Sequence, residues 1–239
     1  MAGERPESVP LSSAQQRMWF LNRLEPESAV NNIPIVLRLS GDLDVSALDA
    51  AISDVVERHE VLRTVYPDVE GTGVQKVLTA AQTQRDLEVR SIEEDALYGR
   101  VVEVVAAGFD VTSEVPFRAE LLHVSAREFV LVVVVHHIAG DGFSMGPLTR
   151  DLVTAYATRT RGEKPMWEPL AVQYADFAIW QRELLGAEND PSSLQNRQLA
   201  YWRSALDGVP EELALPADRQ RPQSASGAGR TSISVSTPN

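Results

Sequence analysis

Cysteine is absent from the 239 residues, which removes disulfides, thiolate metal centres and a cysteine nucleophile together and is compatible with a reducing cytoplasm. Long apolar runs are absent too. Nothing approaches the roughly 18 consecutive apolar residues of a membrane span, and the stretch from Met1 to Glu7 lacks the apolar region of a signal peptide. Basic residues are scarce: 22 Lys and Arg stand against 34 Asp and Glu, a formal net charge of −12. That balance argues against nucleic acid, whose phosphates need a basic face, and no membrane partner is expected. Internal repeats are missing, and the one biased tract is Ser224 to Gly229. What remains is 44% hydrophobic, enough to bury a core, so disorder is excluded and a cytoplasmic location is expected.

The chain is organised around Phe129 to Ser144. Val130 to Val135 is too continuous for an alternating surface strand and too short and β-branched for a helix, so it reads as a central strand covered on both faces. His136 and His137 follow at once. Gly140, Asp141 and Gly142 permit a tight turn, and Met145, Leu148, Leu152 and Tyr156 recur at helical spacing.

Elsewhere, Ser12 or Ser13 with Gln15 or Gln16 opens a helix through Leu24. Ile33 to Leu39 alternates as a strand, with Pro34 tolerable near its start or at an edge. Asp44 caps a helix along Val45, Leu48, Ile52 and Val55 that closes at Arg58 to Glu60. Val61 to Tyr66 and Val74 to Leu78 read as a hairpin, and Ser91 with Glu94 as a capping box for a helix ending at Gly108. Phe117 to Val124 is the hairpin partner of the central strand. Further helices are expected from near Pro147 to Thr160, from Ala171 to Leu185 and from Pro191 to Leu206. Hairpins interspersed with helices give an α/β fold, a two-layer sandwich whose mixed, largely antiparallel sheet is covered by helices.

A neutral imidazole can take the proton of an attacking amine or hydroxyl, and an ordinary pKa of about 6.5 suits neutral pH. Neighbouring side chains on extended backbone point to opposite sides, so His136 and His137 cannot share that task. One is structural and the other reactive, or both merely end a strand in a hydrogen-bond network. Asp141 either orients a histidine or pairs with a distant arginine and holds the loop; the second is preferred. A metal site from His136, His137 and Asp141 is disfavoured, because adjacent histidines seldom present both rings to one ion and no third His or Cys lies nearby. A serine hydrolase reading would use Ser144 with His137 and Asp141, but Ser144 suits a helix start and that reading is disfavoured. His59 and His123 read as packing residues.

Four segments, Leu11 to Leu21, Arg58 to Thr64, His136 to Ser144 and Tyr174 to Gln181, resemble in sequence and order the motifs of the condensation domains of nonribosomal peptide synthetases. The His-His-x-x-x-Asp-Gly motif alone would also fit acyl-CoA-dependent acyltransferases of the chloramphenicol acetyltransferase type. The resemblance implies a chloramphenicol acetyltransferase-like lobe and amide-bond formation. The amine of an aminoacyl group on a downstream peptidyl carrier protein attacks the thioester on an upstream one, both riding on phosphopantetheine, with no cofactor or metal bound by the lobe itself. It further implies that His137 is catalytic, that the Gly142 N–H donates to the thioester oxygen in the transition state, that His136 is buried and structural, and that Asp141 forms a salt bridge with Arg63. Arg17 and Trp180 would be architectural. Partners would be the two carrier proteins and an adenylation domain in the parent synthetase, in antibiotic or siderophore biosynthesis.

Members of that family have two lobes forming a V around a reaction tunnel. The expected organisation here is a first lobe over 1–215, a flexible linker over 216–230 and, at 231–239, the start of a crossover strand toward a second lobe, so that this fragment alone is weak or inactive. The intact pair His136 and His137 resembles ordinary peptide-forming members, not the epimerisation or cyclisation types, and Asn31 to Pro34 with Gly140 to Gly142 leans toward a donor ending in a D-residue. The alternatives are an acyl-CoA-dependent acyltransferase and a non-catalytic carrier-docking module.

Overall fold

The computed structural model describes residues 5–83, 86–210, 216 and 218. The linker expected at 216–230, those two positions apart, and the crossover strand expected at 231–239 lie outside the described residues. The chain divides into two compact units, Met1–Arg197 and Gln198–Asn239. Among the described residues no helix is long and apolar enough to cross a membrane.

The first unit runs β1 (Val9–Pro10), α1 (Ser13–Leu24), β2 (Asn32–Ser40), α2 (Val45–Arg58), a 3-10 turn (Glu60–Arg63), β3 (Thr64–Val65), β4 (Asp68–Val69), β5 (Thr72–Val77), α3 (Ala80–Thr83), β6 (Glu88–Ser91), α4 (Glu94–Ala106), β7 (Phe117–Ser125), β8 (Glu128–His136), α5 (Gly142–Arg159) and α6 (Tyr174–Leu185). The last helix, α7 (Leu194–Ala205), crosses the boundary between the units. The main sheet has the order β2-β8-β7-β6, with β8 antiparallel to both neighbours and β6 parallel to β7. Every residue of β8 from Phe129 to His136 is buried, as its unbroken apolar run requires. A second, smaller sheet gathers β1, β3 and β4 on β5.

The alternation of β7 places the helices. Arg118 donates to the carbonyls of Val104, Ala107 and Gly108 at the end of α4, and buried Glu120 accepts from Arg100 of the same helix at 2.9 and 2.7 Å. Phe117 and Ala119, with Ile52 and Val56 of α2 and part of Arg118, line a cavity of about 600 Å³. The result is the expected α/β sandwich with a mixed, largely antiparallel sheet.

Several boundaries move for identifiable reasons. β6, which the sequence does not announce, is four residues long and exposed throughout, so it carries no apolar alternation. Ser91 ends that strand and caps nothing; α4 starts after Glu93, without a side-chain cap. Val61 to Arg63 is a 3-10 turn, leaving only Thr64–Val65 to pair with β5. Helix α5 begins at Gly142 because Asp141 caps it, which leaves Pro147 inside the helix, where its missing N–H forgoes one bond. Helix α6 starts at Tyr174, not Ala171, behind a Gln173–Asp176 capping box. Helix α7 starts at Leu194, with Ser193 Oγ accepting from the Asn196 N–H.

Gly108 follows α4 where no Cβ fits: one would meet the Pro26 carbonyl oxygen at 2.5 Å and the Glu27 carbonyl carbon at 2.8 Å, both backbone atoms. Gly108→Ala is expected to cost about 1–3 kcal/mol, read as a lower urea midpoint at unchanged slope. An unchanged midpoint would show that this crossing is not tight.

Candidate active site

Strand β8 delivers the two histidines to different environments. His136 is 1% exposed. Its Nδ1 accepts from the Ile138 N–H at 3.1 Å, so the ring proton sits on Nε2, which is buried without a partner among the described residues. The ring edge meets Phe109, with centroids 6.1 Å apart at 78°. Burial, and secondarily the neighbouring His137, push its pKa down to about 4, so the ring is neutral at pH 7.

A depressed histidine pKa contributes stability that is present above the unfolded value of about 6.5 and lost as pH falls toward the folded value. The His136 share is about 3 kcal/mol between pH about 6.5 and about 4, at 1.36 kcal/mol per unit. Urea unfolding across that window is expected to lose stability less steeply in His136→Asn than in the wild-type chain. Equal slopes would contradict a buried neutral ring.

His137, one residue on, is exposed, and its imidazole has no hydrogen-bond partner among the described residues. Its backbone is held: the N–H donates to the Asn31 carbonyl at 2.8 Å. Ile138 and Ala139 are buried below the turn, and the Ala139 N–H donates to the His136 carbonyl at 2.9 Å. Asp141 closes the turn by capping α5, its Oδ1 accepting from the Ser144 N–H at 3.0 Å and from Ser144 Oγ at 2.8 Å. Those bonds hold its carboxyl below the usual range. Ser144 is thus a first-turn helix residue. The Gly142 N–H, at the open end of α5, meets no acceptor among the described residues, and a Cβ on Gly142 would have open space for 4 Å around it.

The helix behind the turn is anchored through Asp151, which is 5% exposed. Its Oδ2 accepts from Arg58 Nε and His59 Nε2, each at 2.9 Å, and its Oδ1 from the Arg150 guanidinium at 3.1 and 3.2 Å. Arg58 also donates to the Glu168 carbonyl at 2.8 Å and lies 4.7 Å from the Trp167 ring centre. Burial opposes the Asp151 charge, but the bonds from His59, Arg58 and Arg150 outweigh it and hold the carboxyl below its ordinary pKa. Burial likewise lowers the His59 pKa despite Asp151, so His59 is a neutral donor. Nearby, Arg159 pairs with Asp54 at 2.5 and 2.7 Å.

The remaining segments meet one another. Tyr174 and Ser12 share a hydroxyl contact at 3.0 Å, Gln181 accepts from the Ser13 N–H at 2.8 Å, and Gln173 donates to the Arg58 carbonyl at 2.9 Å. Arg5 bridges Asp176 and Glu60, each at 2.7 Å. The condensation-domain family model matches residues 6–238.

The chain belongs to the condensation-domain family. It is 55% identical over 225 residues to CymA of Salinispora arenicola, a probable nonribosomal peptide synthetase, covering 94% of this chain and 3% of that protein. It is 52% identical over 228 residues to the dimodular nonribosomal peptide synthase of Bacillus subtilis, covering 95% of this chain and 10% of that protein. Among solved structures it is similar to the X-domain from teicoplanin biosynthesis in complex with OxyB, with a TM-score of 0.84 and 44% identity over 92% of this chain and 48% of that one. The chain therefore spans a tenth or less of those synthetases and about half of the solved X-domain chain.

One expectation carried by the condensation-domain resemblance needs correction. Asp141 and Arg63 form no salt bridge: Asp141 is committed to Ser144, while Arg63 donates through Nη1 to the Leu78 carbonyl and lies 3.7 Å from Glu60, its Nε buried without a partner among the described residues. The arginine of that segment that reaches α5 is Arg58, through Asp151 in the middle of the helix. His59 also does more than pack, whereas His123 stacks on Phe129 at 4.9 Å and 19° as expected of a packing residue. Arg17 is exposed with no side-chain hydrogen bond among the described residues, and Trp180 packs on Phe177 while remaining 54% exposed. Sequence reasoning missed Asp151. The available signal was a carboxylate three residues after Leu148 and four before Ala155, beside the apolar stripe of α5.

Proposed function

We propose that this condensation domain forms a peptide bond within a nonribosomal peptide synthetase. The amine of an aminoacyl thioester on a downstream carrier protein attacks the thioester carbonyl of a peptidyl or aminoacyl group on an upstream carrier. A C–N bond forms, the C–S bond breaks, and the upstream phosphopantetheine leaves as a thiol. His137 takes the amine proton as the bond forms and returns it to the departing sulfur. The lobe contributes no cofactor of its own. The observation that carries this reading is the imidazole of His137, exposed and without a partner among the described residues, on a turn whose backbone is otherwise tied down.

Two further features support it. Gly142 offers an N–H at the N-terminus of α5 that is unpaired among the described residues, suited to a carbonyl oxygen gaining negative charge, and open space where a side chain would stand. His136, buried and neutral, and Asp141, bound to Ser144, hold the turn and take no proton. The opposite wall of the tunnel and the second carrier path belong to a second lobe, and an adenylation domain supplies the downstream aminoacyl group. The donor is read as ending in a D-residue.

A second reading, a carrier-docking module without chemistry, draws support from the solved X-domain relative, whose structure is a protein–protein complex with OxyB. Titrating the domain with loaded carriers while following product separates the two. Product formation supports the condensation reading, whereas saturable binding without turnover in the parent synthetase supports docking. Release of CoA from an acyl-CoA would instead indicate an acyl-CoA-dependent acyltransferase.

A further inference from the structure

We propose that Asn32 is a positioning residue for His137; the inference rests on the peptide-forming reading of that histidine. The His137 imidazole has no partner among the described residues, and the hydrogen bond its N–H makes is to the Asn31 carbonyl at 2.8 Å. The place of the ring therefore depends on where that carbonyl stands.

The next residue fixes it. Asn32 Nδ2 donates to the carbonyls of Val105 and Ala107, both at 2.8 Å, at the C-terminal end of α4. The Asn32 N–H donates to the Ala29 carbonyl at 2.9 Å. The last carbonyls of a helix have no intrahelical partner and carry its partial negative charge. An amide with two N–H groups is the complementary neutral group. Asn32 also stands directly across from His136 in the β2–β8 register. The Asn32 side chain thus ties strand β2 to helix α4 one residue away from the Asn31 carbonyl that holds the turn after β8. Arg118 of β7 donates to the Val104, Ala107 and Gly108 carbonyls at the same helix end, so α4 itself stays seated when Asn32 is changed. What is lost is the tie to Asn31.

This geometry makes an ordering that packing alone would not. Aspartate has the shape of asparagine, so a space-filling role would rank Asn32→Asp milder than Asn32→Ala. Here Asn32→Asp sets an anion against two carbonyl oxygens at a helix C-terminus, at a position whose Oδ1 is buried without a partner among the described residues; Arg118, which shares the Ala107 carbonyl at 3.2 Å, offsets this only in part, so Asn32→Asp is expected to be the worse of the two.

Two measurements test it. In the 239-residue chain, amide hydrogen exchange at His137 is expected to quicken about tenfold in Asn32→Ala and further in Asn32→Asp, while the β8 amides of Val132 and Val134 change far less. In the parent synthetase with loaded carriers, kcat is expected to fall about tenfold in Asn32→Ala and further in Asn32→Asp, with KM for both carriers within about twofold of wild type. Unchanged exchange at His137, an unchanged kcat, or Asn32→Ala worse than Asn32→Asp would overturn the proposal. Should Asn32→Asp fail to fold, equal acceleration of His137, Val132 and Val134 in Asn32→Ala would overturn it as well. A His137→Ala synthetase at full activity would instead sink the peptide-forming reading, leaving the exchange arm as the separate test of Asn32.

Discussion

His137→Ala is expected to lower the rate of dipeptide formation in the parent synthetase by about three orders of magnitude, within the span a positioned general base supplies. The loss should fall on kcat, since a single imidazole contributes little to holding two carrier proteins. Stability should be untouched, because the ring is exposed and bonded to nothing among the described residues. That separates His137 from its neighbour. His136→Ala would leave the Ile138 N–H without its acceptor and open a void against Phe109, so its activity would fall together with its folded fraction. Single-turnover product formation and urea unfolding on both variants distinguish the two cases. A His137 variant that lost activity only as it lost folded protein would remove the catalytic assignment.

Asp151→Ala is the substitution expected to cost most in stability, on the order of 3 kcal/mol. The carboxylate itself leaves, but Arg58 and His59 stay, their side chains 12% and 19% exposed; Arg58 Nε and His59 Nε2 lose their acceptor, while Arg58 keeps Nη1 on the Glu168 carbonyl. Removing one partner of a buried network costs more than the network contributes, since the desolvated remainder is uncompensated. Arg150 is 68% exposed and turns to water at little cost. The double variant Arg58→Leu/Asp151→Leu should recover part of the loss, as apolar replacement of a buried pair often does. Urea midpoints measure both. A single-variant loss below about 1 kcal/mol would place the helix anchor elsewhere, with Arg159–Asp54 the next candidate.

How much of this was legible beforehand varies with the kind of force involved. The central strand was, because burial on both faces leaves an unbroken run of valines that no other element tolerates. The helix of Val45 to Arg58 was, because its cap and its apolar stripe agree. Strand β6 was not: an exposed four-residue edge strand is placed by its parallel pairing with β7, which no local pattern encodes. The sequence places the start of α5 at Pro147 because proline is a familiar first-turn residue, whereas the Asp141 cap six residues upstream, bonded to Ser144, sets the boundary.

At the site, the strand and turn made it readable that one of the two histidines is buried and that Ser144 lies at a helix start, while the resemblance singled out His136 as the buried one. The partner of Asp141 was not. A side chain that caps its own helix and one that reaches a distant arginine look alike in sequence, and the short-range bond to Ser144 forms here. The Arg58–His59–Asp151 cluster and the Asn32 clamp on α4 join residues more than seventy positions apart. Such pairings follow from how helices and strands stack, and they become visible only once the sheet is assembled.

The central claim is that this domain moves an acyl group between two carriers to make an amide. Its most direct test is mass spectrometry of the downstream carrier after wild-type synthetase is mixed with both loaded carriers. The account predicts a dipeptidyl thioester on the downstream phosphopantetheine, a free thiol on the upstream one, and no transfer when the donor acyl group is offered only on CoA. A downstream carrier that binds yet keeps its single amino acid would contradict it.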